Sequence, residues 1–346
     1  MMNIKFYISF SFILTIAFGV FAGNPDRQGQ AGAGELLLNP WGKSAGLHSM
    51  STSSVTGVEA MRINVAGLSR INKFQIGVSS SKLYSGSDLN FVGLGLATKV
   101  GTSGTLGVEL SQLKFGDIPI TTNLQPAGTG GTFSPSFFQL GIGYAFTYAN
   151  KISVGLLFRA ISESVIDVSA FGWAIDAGVQ YVSGEKDNFK LGISLRNIGS
   201  PMQFGGEGLS VRRENPDQAY GSYQINYDYR AASFELPSIL NIGVSYDIYF
   251  KEKIFLRALG NFTSNAFSRD QVGVGAEFSF KDLVVLRSAY KLDLGQSIGG
   301  NNIYTGLSAG FTVNVPMKGN PIAFDYAYRA TNPYKGSHNF TVLLSF

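Results

Sequence analysis

HNFTVLLSF, residues 338–346, closes the sequence, with Phe340, Val342, Leu344 and Phe346 at every second position and Asn339, Thr341, Leu343 and Ser345 between them. A period of two belongs to a strand with one apolar face. Chain ends ordinarily fray, so a strand that runs flush to a terminal aromatic needs a partner strand. The same alternation recurs upstream. It is clearest over Phe138, Leu140, Ile142, Tyr144 and Phe146, over Phe171, Trp173, Ile175, Ala177, Val179 and Tyr181, and over Ile322, Phe324, Tyr326 and Tyr328.

The two faces of these segments separate a membrane barrel from a soluble sandwich. One face holds large aliphatics and aromatics; the other holds glycine, alanine, serine and isolated charges such as Glu109, Asp176, Glu277, Asp325 and Arg329. A sandwich buries its large face and charges its outer one. A membrane barrel points the large face at lipid and the small and polar face at its lumen. Only 14% of residues are charged, against about a quarter in a soluble domain. Aromatics crowd the strand ends, where rings sit at the headgroup level. The 27 basic residues are scattered and the formal net charge is +4, which gives no nucleic-acid footprint. Cysteine is absent, which excludes disulfides and thiolate metal sites.

About fourteen strands are expected, starting near residues 72, 88, 105, 136, 152, 168, 190, 238, 254, 272, 283, 303, 322 and 338. Their connections alternate in character. The short set is Val100–Gly104, Tyr148–Lys151, Ser183–Asn188, Phe250–Lys253, Lys281–Asp282 and Pro316–Pro321. The longer set is Ser81–Ser87, Phe115–Pro135, Ser162–Asp167, Gly199–Pro237, Thr263–Gln271, Asp293–Asn302 and Thr331–Gly336. Short periplasmic turns, long extracellular loops and an even strand number describe an outer-membrane barrel. The last strand then pairs with the first near Phe74, because lipid cannot satisfy a bare sheet edge. Phe340, Val342, Leu344 and Phe346 resemble the terminal signal read by the outer-membrane barrel assembly machinery.

Residues 1–22 have one charge, Lys5, an apolar run from Ile8 to Phe21 and an exit through Val20-Phe21-Ala22. That is the pattern of a secretory signal peptide cut after about Ala22, and the run is short for a membrane-anchoring helix. Residues 23–71 lack strand alternation and precede the barrel at 72–346. A fourteen-stranded barrel is wide enough to need filling, so this segment is expected to plug the lumen as a hatch.

Asp26-Arg27-x-Gly29-Gln30-Ala31-Gly32, Glu35-Leu36-Leu37-Leu38-Asn39-Pro40-Trp41, Val58-Glu59-Ala60 and Asn64-x-Ala66-Gly67 carry a resemblance, as do Phe115-Gly116-Asp117-Ile118, Gly131-Thr132-Phe133-Ser134-Pro135, Ala174 through Tyr181 and Gly192 through Gly199. Together they resemble the PorV/PorQ family, nearer its PorV branch, over nearly all of the mature chain. That family is a branch of the FadL-like barrels, whose hatch carries an Asn-Pro-Ala motif. The corresponding positions are Asn64, Val65, Ala66 and Gly67, with Val65 replacing the proline, which implies a less rigid turn. The resemblance implies a non-enzymatic role in the type IX secretion system of Bacteroidetes. Such a protein binds the C-terminal signal domain of cargo leaving the Sov- or SprA-like translocon barrel and passes it to an attachment complex with a PorU-like sortase. It implies no cofactor.

Other chemistry is weakly signalled. His48 and His338 are the only histidines and stand far apart; a Ser–His–acid site, as in outer-membrane phospholipases, finds no further support. Gly93-x-Gly95 and Gly273-x-Gly275 lie inside alternating strands and read as lumenal glycines rather than phosphate cradles. Glu109, Arg159, Asp176, Glu277, Asp325 and Arg329 line either a solute path or the hatch, and buried charges need partners. The long loops offer apolar anchors for a protein partner: Ile118 and Phe133 in the first, Met202, Phe204, Tyr220 and Tyr223 in the second. Arg212 and Arg213 read as solvated, with an acidic cargo surface as the functional alternative. Uptake of hydrophobic small molecules is the competing function; it requires an apolar pocket against the hatch and a lateral kink or gap in the wall.

Overall fold

The computed structural model describes residues 24–215, 223–295, 303–317 and 320–346. The expected signal peptide and Tyr220 lie outside them. Fourteen wall strands follow in chain order: β1 Phe74–Lys82, β2 Asn90–Val100, β3 Gly104–Lys114, β4 Ser136–Tyr148, β5 Ile152–Val165, β6 Val168–Ser183, β7 Phe189–Gly199, β8 Ile239–Lys251, β9 Ile254–Asn265, β10 Gln271–Phe280, β11 Val284–Asp293, β12 Tyr304–Val315, β13 Ile322–Thr331 and β14 Ser337–Ser345. Each pairs antiparallel with its chain neighbours, and β1 pairs with β14 to close the barrel. The closing register runs from Gln75 opposite Ser345 to Lys82 opposite His338. Phe346 continues it: its N–H donates to the Phe74 carbonyl at 2.9 Å, and its own carbonyl accepts from Lys73 at 3.1 Å.

The alternation seen in the sequence is the alternation in space. Along β4, Phe138, Ile142, Tyr144, Phe146 and Tyr148 face outward, while Phe137, Gln139, Gly141, Gly143 and Ala145 face the lumen and are buried. Closure leaves no edge and pairs the wall's backbone groups strand to strand, the condition for crossing a bilayer with strands. Among the described residues no helix is long and apolar enough to cross a membrane.

Three expected loops are shorter than their sequence suggests. β1 continues through Ser81 to Lys82, and β9 through Thr263 to Asn265. The connection expected over Ser162–Asp167 is a two-residue turn, Ile166–Asp167, because β5 and β6 run 14 and 16 residues and project past their neighbours. The polar run Ser162-Glu163-Ser164 interrupts the apolar period but not the backbone pairing.

Residues 34–71 occupy the lumen as short helical turns, Gly34–Leu37, Gly42–Ala45, Gly57–Glu59, Ala60–Ile63 and Val65–Ser69. Trp41, Val55, Val58, Met61, Ile63, Val65 and Leu68 form a buried core with Ala97, Ala145 and Leu157 of the wall. A second core sits at the loop end, where Phe91, Leu113, Phe137 and Ile161 turn inward against Leu36, Met202 and Leu236. The expectation of a lumen lined mostly by small and ionic groups fails there. Near the loop end those strands pack on the loops folded over them, so large side chains fill the space that glycine leaves to the hatch lower down.

Candidate functional site

The hatch is held to the wall by polar groups on several strands. The Arg159 guanidinium on β5 stands at the centre of one group. Its Nε donates to Asp176 at 2.8 Å, its Nη1 to Glu109 at 3.3 Å and its Nη2 to the Met61 carbonyl of the hatch. Trp41 Nε1 donates to the other oxygen of Glu109 at 3.3 Å. Arg159 and Glu109 are fully buried, where an unpaired charge would be prohibitive. The hatch therefore completes the coordination of a charge fixed in the wall. Arg62 works in the reverse direction: from the hatch it donates to Gln139 of β4 at 2.7 Å and to the carbonyls of Leu38 and Glu35.

On the closing strand, Gly42 N–H donates to Thr341 Oγ1 at 2.8 Å, and Asn339 Nδ2 donates to the Asn39 and Pro40 carbonyls at 2.9 and 3.2 Å. The closing strand thus binds the hatch as well as β1. Asn39 in turn accepts from Trp41 N–H and donates to Ser44 and Ser49. Glu59 accepts from the Ser44 N–H at 3.0 Å in full burial. Burial, and after it the negative charge of Asp325, pushes the Glu59 carboxyl up to about 7.

Asn64, Val65, Ala66 and Gly67 form one buried turn. Asn64 accepts from Ala66 N–H and donates to the carbonyls of Thr52 at 2.9 Å and Val179 at 3.1 Å. Wall glycines make room for it. A Cβ on Gly178 would lie 2.0 Å from Asn64 Oδ1, and one on Gly155 would lie 2.8 Å from the Val65 backbone. The turn is anchored through the Asn64 side chain.

Glu277 and Asp325 belong to a different network. Asp247, Arg257, Glu277, Arg287 and Asp325 alternate in sign along β8, β9, β10, β11 and β13. Arg257 bridges Asp247 at 2.6 Å and Glu277 at 3.0 Å, and Arg287 meets Glu277 at 3.2 Å. Here the charges pair strand to strand rather than to the hatch. Arg329 donates to Tyr304 at 2.9 Å and lies over its ring at 4.4 Å.

The loop residues separate into two groups. Ile118 and Phe133 face each other in a ribbon formed by Ile118–Pro119 and Thr132–Phe133. Met202 is fully buried, and Phe204 packs on Phe234 with 5.7 Å between ring centroids. Both are packing groups of the loop-end core, which corrects their reading as surface anchors: the Gly199–Pro237 loop folds back onto β6, with Met202 against Gly172. Arg212 and Arg213 lie on a second ribbon, Ser210–Glu214 with Gln224–Asp228, which is largely exposed. Tyr223, Tyr227 and Tyr229 are 56%, 40% and 55% exposed there. Tyr227 opposes Val211 and Ile225 opposes Arg213, so the odd-numbered side chains make one aromatic face. Trp41, Arg62, Gln139 and Asn339 carry no functional signal in the sequence: Gln139 and Asn339 are polar groups on a strand's small-residue face, and Trp41 and Arg62 lie in the hatch, where no periodicity marks them.

His48 is buried on the hatch edge-on to Tyr304, with ring centroids 5.8 Å apart, and His338 hydrogen-bonds Tyr326 at 2.8 Å. The two serve different contacts. Among the described residues no group of three or more histidine, aspartate or glutamate side chains could hold a metal ion.

No family profile and no curated protein matches the sequence. Solved structures match in fold. The toluene transporter TodX of Pseudomonas putida aligns with a TM-score of 0.55 at 14% identity, over 89% of this chain and 98% of its own. The toluene transporter TbuX of Ralstonia pickettii aligns at 0.52 and 12%, over 89% and 97%. A FadL homologue of Pseudomonas aeruginosa aligns at 0.51 and 12%, over 89% and 98%. At such identities the likeness is one of architecture, and the chain is a fourteen-stranded barrel of the FadL-like fold with its N-terminal segment in the lumen.

Proposed function

We propose that this chain is a non-enzymatic outer-membrane component of type IX protein secretion. In this role its loops bind the C-terminal signal domain of cargo released by a Sov- or SprA-like translocon and present it to a PorU-like attachment complex. The observation that carries the proposal is the exposed aromatic ribbon of Ser210–Glu214 and Gln224–Asp228, which stands on a barrel whose hatch is bound to several wall strands. A binding loop works best when its scaffold does not move, and the buried Arg159–Glu109–Asp176 group with Trp41 and Met61 supplies that rigidity. The sequence resemblance to the PorV/PorQ family supports the partners named. The type of barrel and its apolar belt support residence in the outer membrane, with the short turns periplasmic.

A second reading is transport of a hydrophobic small molecule. The structural neighbours favour it, since TodX and TbuX are described as toluene transporters. The inward-facing Phe91, Leu113, Phe137 and Ile161 favour it too, as an apolar lining beneath the loops. One pair of measurements in the native host separates the readings. Deleting residues 206–230 should leave barrel abundance unchanged, remove type IX cargo from the cell surface and spare uptake of radiolabelled toluene. Intact cargo display with lost toluene uptake would establish the second reading instead.

A further inference from the structure

The two adjacent turns at the periplasmic rim between β8 and β9 and between β10 and β11 carry a cluster of charge that neither function uses. Lys251, Lys253 and Lys281 surround a concavity completed by Glu252, Ile254 and Leu283. The turns are fixed to each other, because Lys281 N–H donates to the Lys253 carbonyl at 2.7 Å. The register of β8 on β9 shifts between Tyr249 and Lys251. That bulge leaves Phe250 as the extra residue, 62% exposed, and re-aims the lysine that follows it, as rim bulges do. Among the described residues none of the three ammonium groups has a carboxylate within 4 Å, although Lys151 on the β4–β5 turn and Lys190 in β7 pair with Asp187 and Asp247.

We infer that these turns bind the phosphate headgroup of an anionic glycerophospholipid in the periplasmic leaflet. The charge is complementary: three cations and the single carboxylate of Glu252 line the concavity, while Asp282 of the same turn is not among its lining residues. The neighbours point to lipid rather than to free phosphate, because exposed Phe250, Phe280 and Leu283 stand beside the lysines on the outer wall, where acyl chains lie. Lys281 Nζ sits 5.4 Å above the Phe280 ring, which keeps its charge at the boundary between headgroup and chain. Basic groups at a membrane rim recognise such headgroups through charge concentrated within a Debye length.

The test uses the purified full chain, delipidated in a nonionic detergent and titrated with short-chain phosphatidylglycerol, phosphatidylcholine or inorganic phosphate. Adducts are counted by native mass spectrometry. Phosphatidylglycerol should bind at least roughly tenfold more tightly than phosphatidylcholine. The triple variant Lys251→Gln, Lys253→Gln, Lys281→Gln should lose that preference, and the control Lys73→Gln, Lys151→Gln should keep it. Heat-modifiability on a gel confirms folding; if the triple variant fails it, Lys281→Gln alone should weaken phosphatidylglycerol several-fold. Equal binding of the two lipids by the wild type, a preference that survives the substitutions, or equal loss in the control would overturn the inference. So would displacement of phosphatidylglycerol by equimolar inorganic phosphate, which would make the site one for a free anion.

Discussion

Asn64 of the hatch donates from Nδ2 to the carbonyl oxygen of Val179 on β6, at 3.1 Å and across 115 positions of sequence. A strand carbonyl inside a closed sheet normally serves only its ladder, and here one also receives the plug. Asn64→Ala should loosen the hatch by about 1–3 kcal/mol through the lost bonds. Gly178→Val should act more strongly, since even a Cβ there would lie 2.0 Å from Asn64 Oδ1. Limited proteolysis of the folded barrel reads both: cleavage within residues 34–71 should accelerate in both variants, with the wall intact.

Arg159 makes a sharper prediction. Arg159→Met would leave Glu109 buried without its cation and Asp176 with only the more distant Arg196, at 3.9 Å, at a cost of about 3–5 kcal/mol. Adding Glu109→Gln and Asp176→Asn should recover part of that loss, because both carboxylates are then neutral; recovery stays partial because buried Arg196, 3.9 Å from Asp176, loses its own partner. The midpoint of thermal unfolding followed by heat-modifiability measures each step. No recovery in the triple variant would mean that shape, rather than charge, holds the group together.

The pH dependence of the plug follows from Glu59. With the hatch docked, its carboxyl is raised to about 7 from the ordinary 4.5. The docked state therefore binds the proton more tightly than the released state, and Glu59 contributes its full stability below pH 4.5. That contribution declines as pH rises through 7. Hatch proteolysis should be slower at pH 5 than at pH 8.5, and Glu59→Gln should flatten the difference. A wild-type plug that tightens with rising pH would contradict this.

How much of this was legible in the sequence depends on the range of the physics involved. The wall was legible because the period of two is local: Phe138 through Phe146 announce β4 without reference to any other strand, and all fourteen strand starts fall within two residues of those expected. The lumen was less so. Trp41 and Glu109 meet across 68 positions, and no periodicity marks such a pair. Met202 misled because a large apolar residue amid glycine and proline looks exposed in one dimension. Its burial depends on a loop folding back over β6, which no local pattern encodes. Ser162-Glu163-Ser164 misled in the other direction, since strand above the bilayer need not be apolar to stay paired.

Phe346 bears on assembly. Phe346 is bonded through its N–H to Phe74 and through its carbonyl to Lys73, and its ring lies 5.7 Å from that of Phe74. Deleting Phe346 removes three backbone hydrogen bonds of the closing seam, one of them from Phe74 N–H at 3.4 Å, and the ring that covers them. The variant should fall in outer-membrane abundance and accumulate as a protease-sensitive, non-heat-modifiable species. Normal abundance of the truncated barrel would show that Phe340, Val342 and Leu344 suffice.

The exposed ribbon provides the most direct test of the proposed function. Tyr223, Ile225, Tyr227 and Tyr229 alternate with Gln224, Asn226 and Asp228, so one face is aromatic and the other polar. Arg213 Nη2 donates to the Tyr229 hydroxyl at 2.8 Å and Asn215 to that of Tyr223, which holds the rings in place with their faces still open to solvent. Aromatics fixed in advance lose little entropy on binding, the property of interface anchors, and truncating one such anchor costs about 2 kcal/mol or more. Tyr227→Ala and Tyr229→Ala should each weaken capture of a purified cargo C-terminal domain by roughly thirtyfold, with barrel folding unchanged. Met202→Ala should instead lower stability, since its side chain is wholly buried against Gly172, and should affect capture only as the loop loosens. Binding that survives both tyrosine substitutions while the Met202 variant loses it would move the recognition surface from the ribbon to the loop-end core, and with it the balance of function toward the apolar lining beneath.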